Sequence, residues 1–462
     1  MASETGQWSD LRFDGRLARF ALLCLGIWLN AADALVTSTI MPSVARAIGG
    51  YAFFAWPVIA YLLGSIVAGA SAGRLTGIAG LRAALFWAAV LYAAGCAVGA
   101  LAPSMAVFVA GRLLQGVGAG WIVGLVYGAV SNGFPKALWS RVLAAVSGVW
   151  GVATLLGPLI GGVFAQSGSW RLLFWLFAAQ SLAFAAAVLA LVPQAREQGD
   201  GSSLPLARPA LLAASVVLIG IAGLVPHVLS ATGMIAGGCA LLLLFLHRDA
   251  RAAVHLLPPQ LADPASVSGT GYRMMFLESA ASVGFGIYGT ALLQRIYALS
   301  PLAAGYAIGA EAMGWTLCAL FVAGRPEREH GLYIRGGAGC VVAALLLLGV
   351  AIPSGNLAFV IVCGFLLGGG FGLFWSFAAQ RIFASLPEAE RTLGASAVPA
   401  VQIVGNALGA ATSGTLANLL GMAAGMDLMT AHRIGAWLFF AMVPLALGGW
   451  FFAQRLATQR SD

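Results

Sequence analysis

The chain has 462 residues, of which 60% are hydrophobic and only 9% are charged, and its formal net charge is +8 with a pI near 9.5. Soluble globular proteins carry far more charge, so the composition excludes them and indicates an integral membrane protein. The basic residues form no dense tract and fall on alternate loops, which argues against nucleic-acid binding and is typical of cytoplasmic membrane loops.

Apolar runs long enough to cross a ~30 Å hydrocarbon core as helices recur along the whole chain. The first run follows a polar segment with three arginines and has no cleavage pattern after it, so we expect a retained helix and not a signal peptide. The predicted helices are 20–41, 52–72, 82–102, 105–130, 140–165, 171–192, 209–226, 229–246, 270–294, 302–323, 333–352, 357–380, 393–418 and 432–454.

The predicted fold class is therefore an all-α integral membrane protein with fourteen transmembrane helices. Two pseudo-repeated six-helix halves flank two inserted central helices. The predicted segments are a cytoplasmic N-terminal segment (1–19), a first half (20–193), a linker (194–208), two inserted helices (209–247), a second linker (248–269) and a second half (270–455).

The distribution of basic residues supports this membrane topology. With the N-terminus inside, 18 of the 24 lysines and arginines fall on the cytoplasmic face and four fall outside, while Arg112 and Arg273 lie within spans. A helix count wrong by one would remove this asymmetry. We expect both termini to be cytoplasmic, with the protein in a bacterial inner membrane.

Four charged residues at membrane depth are the candidate proton-coupling residues: Asp33, Arg112, Glu278 and Glu311. Charged side chains are costly in a bilayer, and those that occur there usually face an aqueous path and have a function. Counted from the helix ends at 1.5 Å per residue, Asp33 and Arg112 reach a similar depth, which predicts an ion pair. A purely structural pair, and protonated acids that hydrogen-bond between helices, are the alternatives.

The two halves also share a sequence echo. The stretch GRLLQG that begins at Gly111 resembles GFLLGG, which begins at Gly364, and both helices continue to a Leu/Phe-Pro exit. Two related halves around a midplane site are the plan of many secondary transporters.

Several motifs resemble the major facilitator superfamily, in particular its fourteen-helix drug:proton antiporter branch. Residues 33–42 (DALVTSTIMP) resemble the branch's D-x-T-I-V-x-x-A-L-P signature, with Leu35 in place of threonine. The stretch from Arg112 (RLLQGVG) is similar to R-x-x-Q-G-x-G. The stretch from Gly157 (GPLIGG) is similar to the antiporter motif G-P-x-x-G-G.

Residues 73–82 (GRLTGIAGLR) occupy the position of the family's G-x-L-x-D-x-x-G-R-[RK] motif between spans 2 and 3. Gly77 replaces the aspartate of its cytoplasmic charge lock, and Leu81 replaces an arginine. The resemblance implies gating or close-packing roles for Gly73, Arg74, Gly80, Arg82, Gly116, Gly157, Pro158, Gly161 and Gly162.

The resemblance implies a proton-coupled exporter of amphipathic small molecules that works by alternating access. Because acids in an aromatic, apolar cavity favour cations, we expect a cationic cargo. An exporter of an endogenous lipid, siderophore or metabolite is the alternative, and an uptake carrier is a weaker one. The candidate cavity residues are Asp33, Gln115, Trp121, Glu278, Tyr288 and Glu311.

The remaining patterns argue against other classes. The six cysteines and five histidines show no metal-ligand spacing, so we expect no metal. The chain has no HExxH, no GxSxG with Asp/His partners and no Walker A loop, so we expect neither an enzyme nor an ATP-driven pump. No cofactor beyond the proton gradient is expected, and the expected partners are the substrate, protons and the lipid bilayer, with the protein as a monomer.

Overall fold

A computed structural model describes residues 15–134, 136–194, 207–225, 227–252, 263, 265–386 and 391–459. All regular structure in these residues is helical, and the surroundings of some residues inside the helices, including Gly73 and Arg74, lie outside the described set. The helices are α1 (Arg16–Ile48), α2 (Trp56–Leu101), α3 (Met105–Gly133), α4 (Lys136–Gln166), α5 (Trp170–Leu191), α6 (Ala207–Ala222), α7 (Val228–Ala250), α8 (Val267–Ile296), α9 (Pro301–Val322), α10 (Glu327–Ala351), α11 (Leu357–Ala384), α12 (Arg391–Leu419) and α13 (Leu428–Thr458).

Helix α2 contains a break at Gly80, where φ is 78° and ψ is 156°. Counting its two arms separately, the described residues form fourteen helical segments, which confirms the predicted all-helical fold class. Twelve of the described segments are long and apolar enough to cross a bilayer, whereas α6 has only 16 residues. The number of membrane-spanning helices stays a prediction.

Residues 73–79 were predicted to form a loop between two helices, and the structure has helix there instead. The stretch contains no proline, so helical hydrogen bonding continues to Gly80. The backbone at Gly80 adopts a conformation that only glycine reaches readily, and this ends the first arm of α2.

Several later helices begin at side chains that cap their first turn. Ser300 accepts a hydrogen bond from Ala303 N at 3.2 Å, and Pro301 follows at the first helical position. Ser266, Asn356 and Asp427 accept equivalent bonds at the starts of α8, α11 and α13. These residues satisfy backbone donors that a helix N-terminus otherwise leaves free.

The chain divides into two compact units. The first comprises Met1–Ile48 and Ala60–Leu206, and the second comprises Gly49–Ile59 and Ala207–Asp462. In the first unit, α1 packs against α3, α4 and α5. Its Gly26 lies against the side chains of Ile122, Val126 and Phe184, so the absence of a side chain lets the helices approach closely.

In the second unit, α8 packs against α12 and α13, and α11 packs against α9 and α10. The two inserted helices α6 and α7 belong to this unit. A buried ion pair between Arg208 and Asp249 joins them, and the Ser215 hydroxyl donates to the carbonyl of Gly238 at 2.7 Å. Helix α6 also contacts α12, where the Thr415 hydroxyl donates to the carbonyl of Ile219.

Each unit contains one helix pair with the same glycine-mediated contacts. In the first unit, Gly116 and Gly120 of α3 lie against the carbonyls of Tyr61 and Ser65 of α2, and Gly64 lies against Leu113. In the second unit, α11 and α9 repeat this pattern.

The matching contacts of the second unit define the register of the repeat. Gly368 and Gly372 lie against the carbonyls of Glu311 and Trp315, and Gly314 lies against Phe365. These contacts match Gly116 to Gly368, whereas the sequence echo matched Gly116 to Gly369. The register seen in the structure therefore differs by one residue from the register given by the sequence echo. Backbone contacts between the paired helices determine the structural register, and sequence similarity between the two stretches does not.

Candidate functional site

Asp33, Arg112 and Gln115 form a closed hydrogen-bonded network in the first unit. Arg112 Nη1 donates to the Asp33 oxygens at 2.9 and 2.7 Å and to Gln115 Oε1 at 2.7 Å. Gln115 Nε2 donates to Asp33 Oδ1 at 2.8 Å, and the Thr37 hydroxyl reaches the same oxygen at 3.4 Å. The ion pair expected from helix depth is therefore present.

All three network side chains are buried: Asp33 and Gln115 are 0% exposed, and Arg112 is 2% exposed. Two opposite charges held this closely away from water attract each other strongly, but removing one would strand the other. The network is consequently stable as a whole and sensitive to any change in the charge of one member.

Two tyrosines surround the network. The Arg112 guanidinium carbon lies 4.4 Å from the centroid of the Tyr61 ring, a cation–π contact. The Tyr92 hydroxyl donates to the carbonyl of Leu29 at 3.0 Å, which fixes α2 against α1 one turn from Asp33. Neither tyrosine is among the residues predicted from the sequence to form the site.

The GPLIGG stretch of α4 packs directly on α1 beside the network. Gly157 lies against Leu35, and Gly161 lies against the Val36 carbonyl and the Thr39 side chain. The helix continues through Pro158, and Gly161 and Gly162 are buried. The stretch therefore determines how closely α4 approaches the helix that carries Asp33.

Glu278 is buried in the second unit between α8 and α13. It is 0% exposed, and neither carboxyl oxygen has a hydrogen-bond partner among the described residues. Its carboxyl group packs against Gly449 of α13, where an added Cβ would lie 2.6 Å from Oε1. An ionised carboxylate in this position would be neither paired nor hydrated, so the environment accommodates the neutral acid.

Glu311 lies on α9 and is partly exposed. Among the described residues, its carboxylate forms no hydrogen bond or ion pair. One turn further along α9, the Trp315 ring stacks on Phe371 at 5.1 Å and lies 5.5 Å from Trp375. The sequence could not show that these tryptophans lie near Glu311, because their contacts depend on how α9 packs against α11.

The other predicted cavity residues lie in different surroundings. Trp121 Nε1 donates to Ser71 Oγ at 2.8 Å between α3 and α2. Tyr288 is buried and stacks on Phe54 at 5.5 Å. Of the predicted set, the structure brings together Asp33, Arg112 and Gln115, whereas Glu278, Tyr288 and Glu311 belong to the second unit.

The predicted gating residues between spans 2 and 3 are described only in part. Gly80 forms the break in α2, and Arg82 is partly buried in its second arm. The predicted roles of Gly73 and Arg74 concern residues whose surroundings lie outside the described set.

The sequence matches the family model of the Major Facilitator Superfamily over residues 23–325. Across 99% of its length it is 32% identical to a probable multidrug-efflux transporter of Mycobacterium tuberculosis, and the match covers 98% of that relative. An MFS transporter of a Phoma species is 35% identical over 35% of this chain and 27% of its own length.

Solved transporter structures share the fold. A D-xylose–proton symporter superposes with a TM-score of 0.62 at 16% identity, over 92% of this chain and 97% of that one. A peptide transporter superposes with a TM-score of 0.65 at 15% identity, over 96% of each chain. Identities this low establish the architecture and say nothing about the cargo.

Proposed function

This chain belongs to the Major Facilitator Superfamily, and from that premise we propose that it is a proton-coupled antiporter that exports amphipathic cations by alternating access. It is a multi-pass membrane transporter and not an enzyme. The proton gradient is the proposed energy source, without a further cofactor. We place the protein in a bacterial inner membrane as a monomer with both termini in the cytoplasm.

The buried Asp33–Arg112–Gln115 network is the observation that carries the proposal. A proton that binds Asp33 would cancel its charge and leave the Arg112 guanidinium buried without its counter-ion, which costs about 3–5 kcal/mol. The protonated and ionised forms of the network therefore favour different conformations. A group of this kind can couple proton binding to a conformational change, because the proton biases a two-state element.

Glu278 supports the same proposal from the second unit. Its carboxyl group lacks any partner among the described residues, whereas Asp33 has three hydrogen-bond donors. One acid is thus accommodated as the neutral form and the other as the ionised form. Carboxyl groups whose environments differ in this way are suited to separate steps of proton binding and release.

The direction of transport and the class of cargo rest on two further observations. The relative that matches over nearly the whole chain is named a probable multidrug-efflux transporter, which favours export. Glu311 presents a carboxylate beside aromatic rings, and this favours a cationic amphiphile over an anion.

The direct test uses proteoliposomes that contain a trapped pH dye. A panel of lipophilic cations, including ethidium and tetraphenylphosphonium, and of anionic amphiphiles is added to wild type and to Asp33→Asn. We expect cations to drive proton movement in wild type and to drive none in the variant. A wild type that moves protons with no cation would contradict antiport of cationic drugs and favour an endogenous lipid, siderophore or metabolite as cargo.

Asp249→Asn is the matched control. It breaks another buried Arg–Asp pair, between α6 and α7, and makes the same chemical change outside the proposed proton path. We expect Asp249→Asn to retain cation-driven proton movement. Equal loss in both variants would mean that the Asp33 pair acts only through stability.

A further inference from the structure

The matching glycine contacts of the two units make their helix pairs comparable residue by residue. Gly116 of α3 lies against the carbonyl of Tyr61, and Gly368 of α11 lies against the carbonyl of Glu311. On the opposing helices, Gly64 of α2 and Gly314 of α9 likewise occupy matching positions. In this register, Glu311 takes the position of Tyr61. Gly364, one turn before Gly368, takes the position of Arg112, one turn before Gly116.

The two positions differ in charge. In the first unit, the protein supplies its own cation, because the Arg112 guanidinium lies over the Tyr61 ring and pairs with Asp33. In the second unit, the corresponding position is Gly364, which has no side chain and lies against the apolar ring of Phe285. The acid Glu311 has no ion-pair partner among the described residues. At these two matched positions, the second unit therefore has an acid and no cation.

Aromatic rings adjoin this acid. Glu311 and Trp315 are one helical turn apart and therefore adjacent on the surface of α9. The Trp315 ring stacks on Phe371 with an interplanar angle of 14° and contacts Trp375. Trp315 and Trp375 are both partly exposed, whereas Phe371 is buried behind them.

The accessible side of this cluster is not the lipid-facing side of α9. The exposed apolar residues Met313 and Leu320 lie roughly opposite Glu311 on the helix, at 100° per residue. Partial exposure of Glu311 and Trp315 away from that face means that a ligand could reach them without passing through the lipid contact.

We infer that Glu311, Trp315 and Trp375 form the subsite that holds the positive charge of a flat organic cation, so that the ligand supplies the counter-charge that Arg112 supplies in the first unit. The carboxylate balances the charge of the ligand, and the indole faces contact its delocalised ring system. This inference rests on the proposed export of organic cations and specifies where the cation binds.

The test is equilibrium binding to the purified full-length protein in detergent, with no proton gradient. The probes are ethidium, a permanent flat cation, and phenanthridine, its uncharged ring system. We expect Glu311→Gln to weaken ethidium binding on the order of tenfold or more and to leave phenanthridine binding nearly unchanged. Trp315→Ala should weaken both, and Trp315→Phe should restore most of the loss.

Glu329→Gln is the control, since it removes a carboxylate at the start of α10 that pairs with Arg325. Wild-type ethidium affinity in Glu311→Gln, or equal affinity of wild type for both probes, would overturn the subsite. These outcomes are distinct from failure of the proposed function. Proton-coupled ethidium transport with unchanged binding in Glu311→Gln would refute the subsite alone, and weakened binding without any proton coupling would refute antiport alone.

Discussion

At the scale of single residues, Arg112 determines whether the polar network of the first unit can exist. Its guanidinium contacts Asp33, Gln115 and the Tyr61 ring while it is almost fully buried. Such a charge is tolerated within a membrane helix because each contact compensates part of its lost hydration.

Removing the Arg112 charge should therefore destabilise the protein more than removing the whole pair. We expect Arg112→Gln to lower the free energy of unfolding by about 3–5 kcal/mol, because it leaves the Asp33 carboxylate buried and unpaired. Asp33→Asn combined with Arg112→Gln should recover part of this loss. Thermal unfolding in detergent across the four proteins of the double-mutant cycle measures the coupling, and strictly additive effects would contradict a coupled network.

Substitution of Glu278, in contrast to that of Arg112, should have little effect on stability. Because its carboxyl oxygens have no partners among the described residues, Glu278→Met should change the free energy of unfolding by less than about 1.5 kcal/mol. The same variant should lose proton coupling in proteoliposomes. A large loss of stability would instead support a hydrogen-bonding structural role for the acid.

Part of the site could be predicted from the sequence at this scale. The depths of Asp33 and Arg112 along their helices predicted that they pair, because a rise of 1.5 Å per residue converts sequence position into distance. The same counting could not show that Glu278 faces Gly449 or that Tyr61 lies under Arg112, since these contacts depend on helix rotation and crossing geometry.

At the scale of helices, close backbone contact at glycine organises both repeated pairs. A Cβ at Gly368 would overlap the Glu311 carbonyl, so α9 and α11 could not keep their separation. The position of Glu311 and Trp315 relative to α11 depends on this contact, and so does the proposed cation subsite.

Gly368→Ala should thus destabilise the α9–α11 pair by about 3 kcal/mol or more, as expected for severe overpacking. Gly309→Ala on α9 is the matched control, because no atom lies within 4 Å of an added Cβ there. We expect the control to be neutral or slightly stabilising, since alanine favours helix over glycine. Equal unfolding temperatures for the two variants would show that the contact is not constrained.

Helix identity was predictable from the sequence, and the break in α2 was not. Long apolar runs gave the existence and order of the helical segments, because membrane helices need about 20 apolar residues. The break at Gly80 depends on one backbone conformation inside a glycine-rich stretch, GRLTGIAG, whose composition equally suggests a loop.

At the scale of the whole molecule, the two units share a helix-pair plan and differ in what occupies it. The sequence echo at Gly111 and Gly364 revealed the repeat, but only the backbone contacts gave its register. That register exposes the asymmetry between Arg112 and Gly364. Because Glu311 has no counter-ion among the described residues, an organic cation and protons can compete for acids at membrane depth, as antiport requires.

Proton release on cation binding tests that claim most directly. Ethidium is added to the purified protein in weakly buffered detergent solution near pH 7, and a pH dye reports protons as binding proceeds. Antiport through shared acids predicts that each bound ethidium releases roughly one proton, because linkage between the two ligands is reciprocal. Ethidium binding without proton release would contradict proton-coupled antiport, and so would proton uptake on binding, which is the sign of coupling expected for symport.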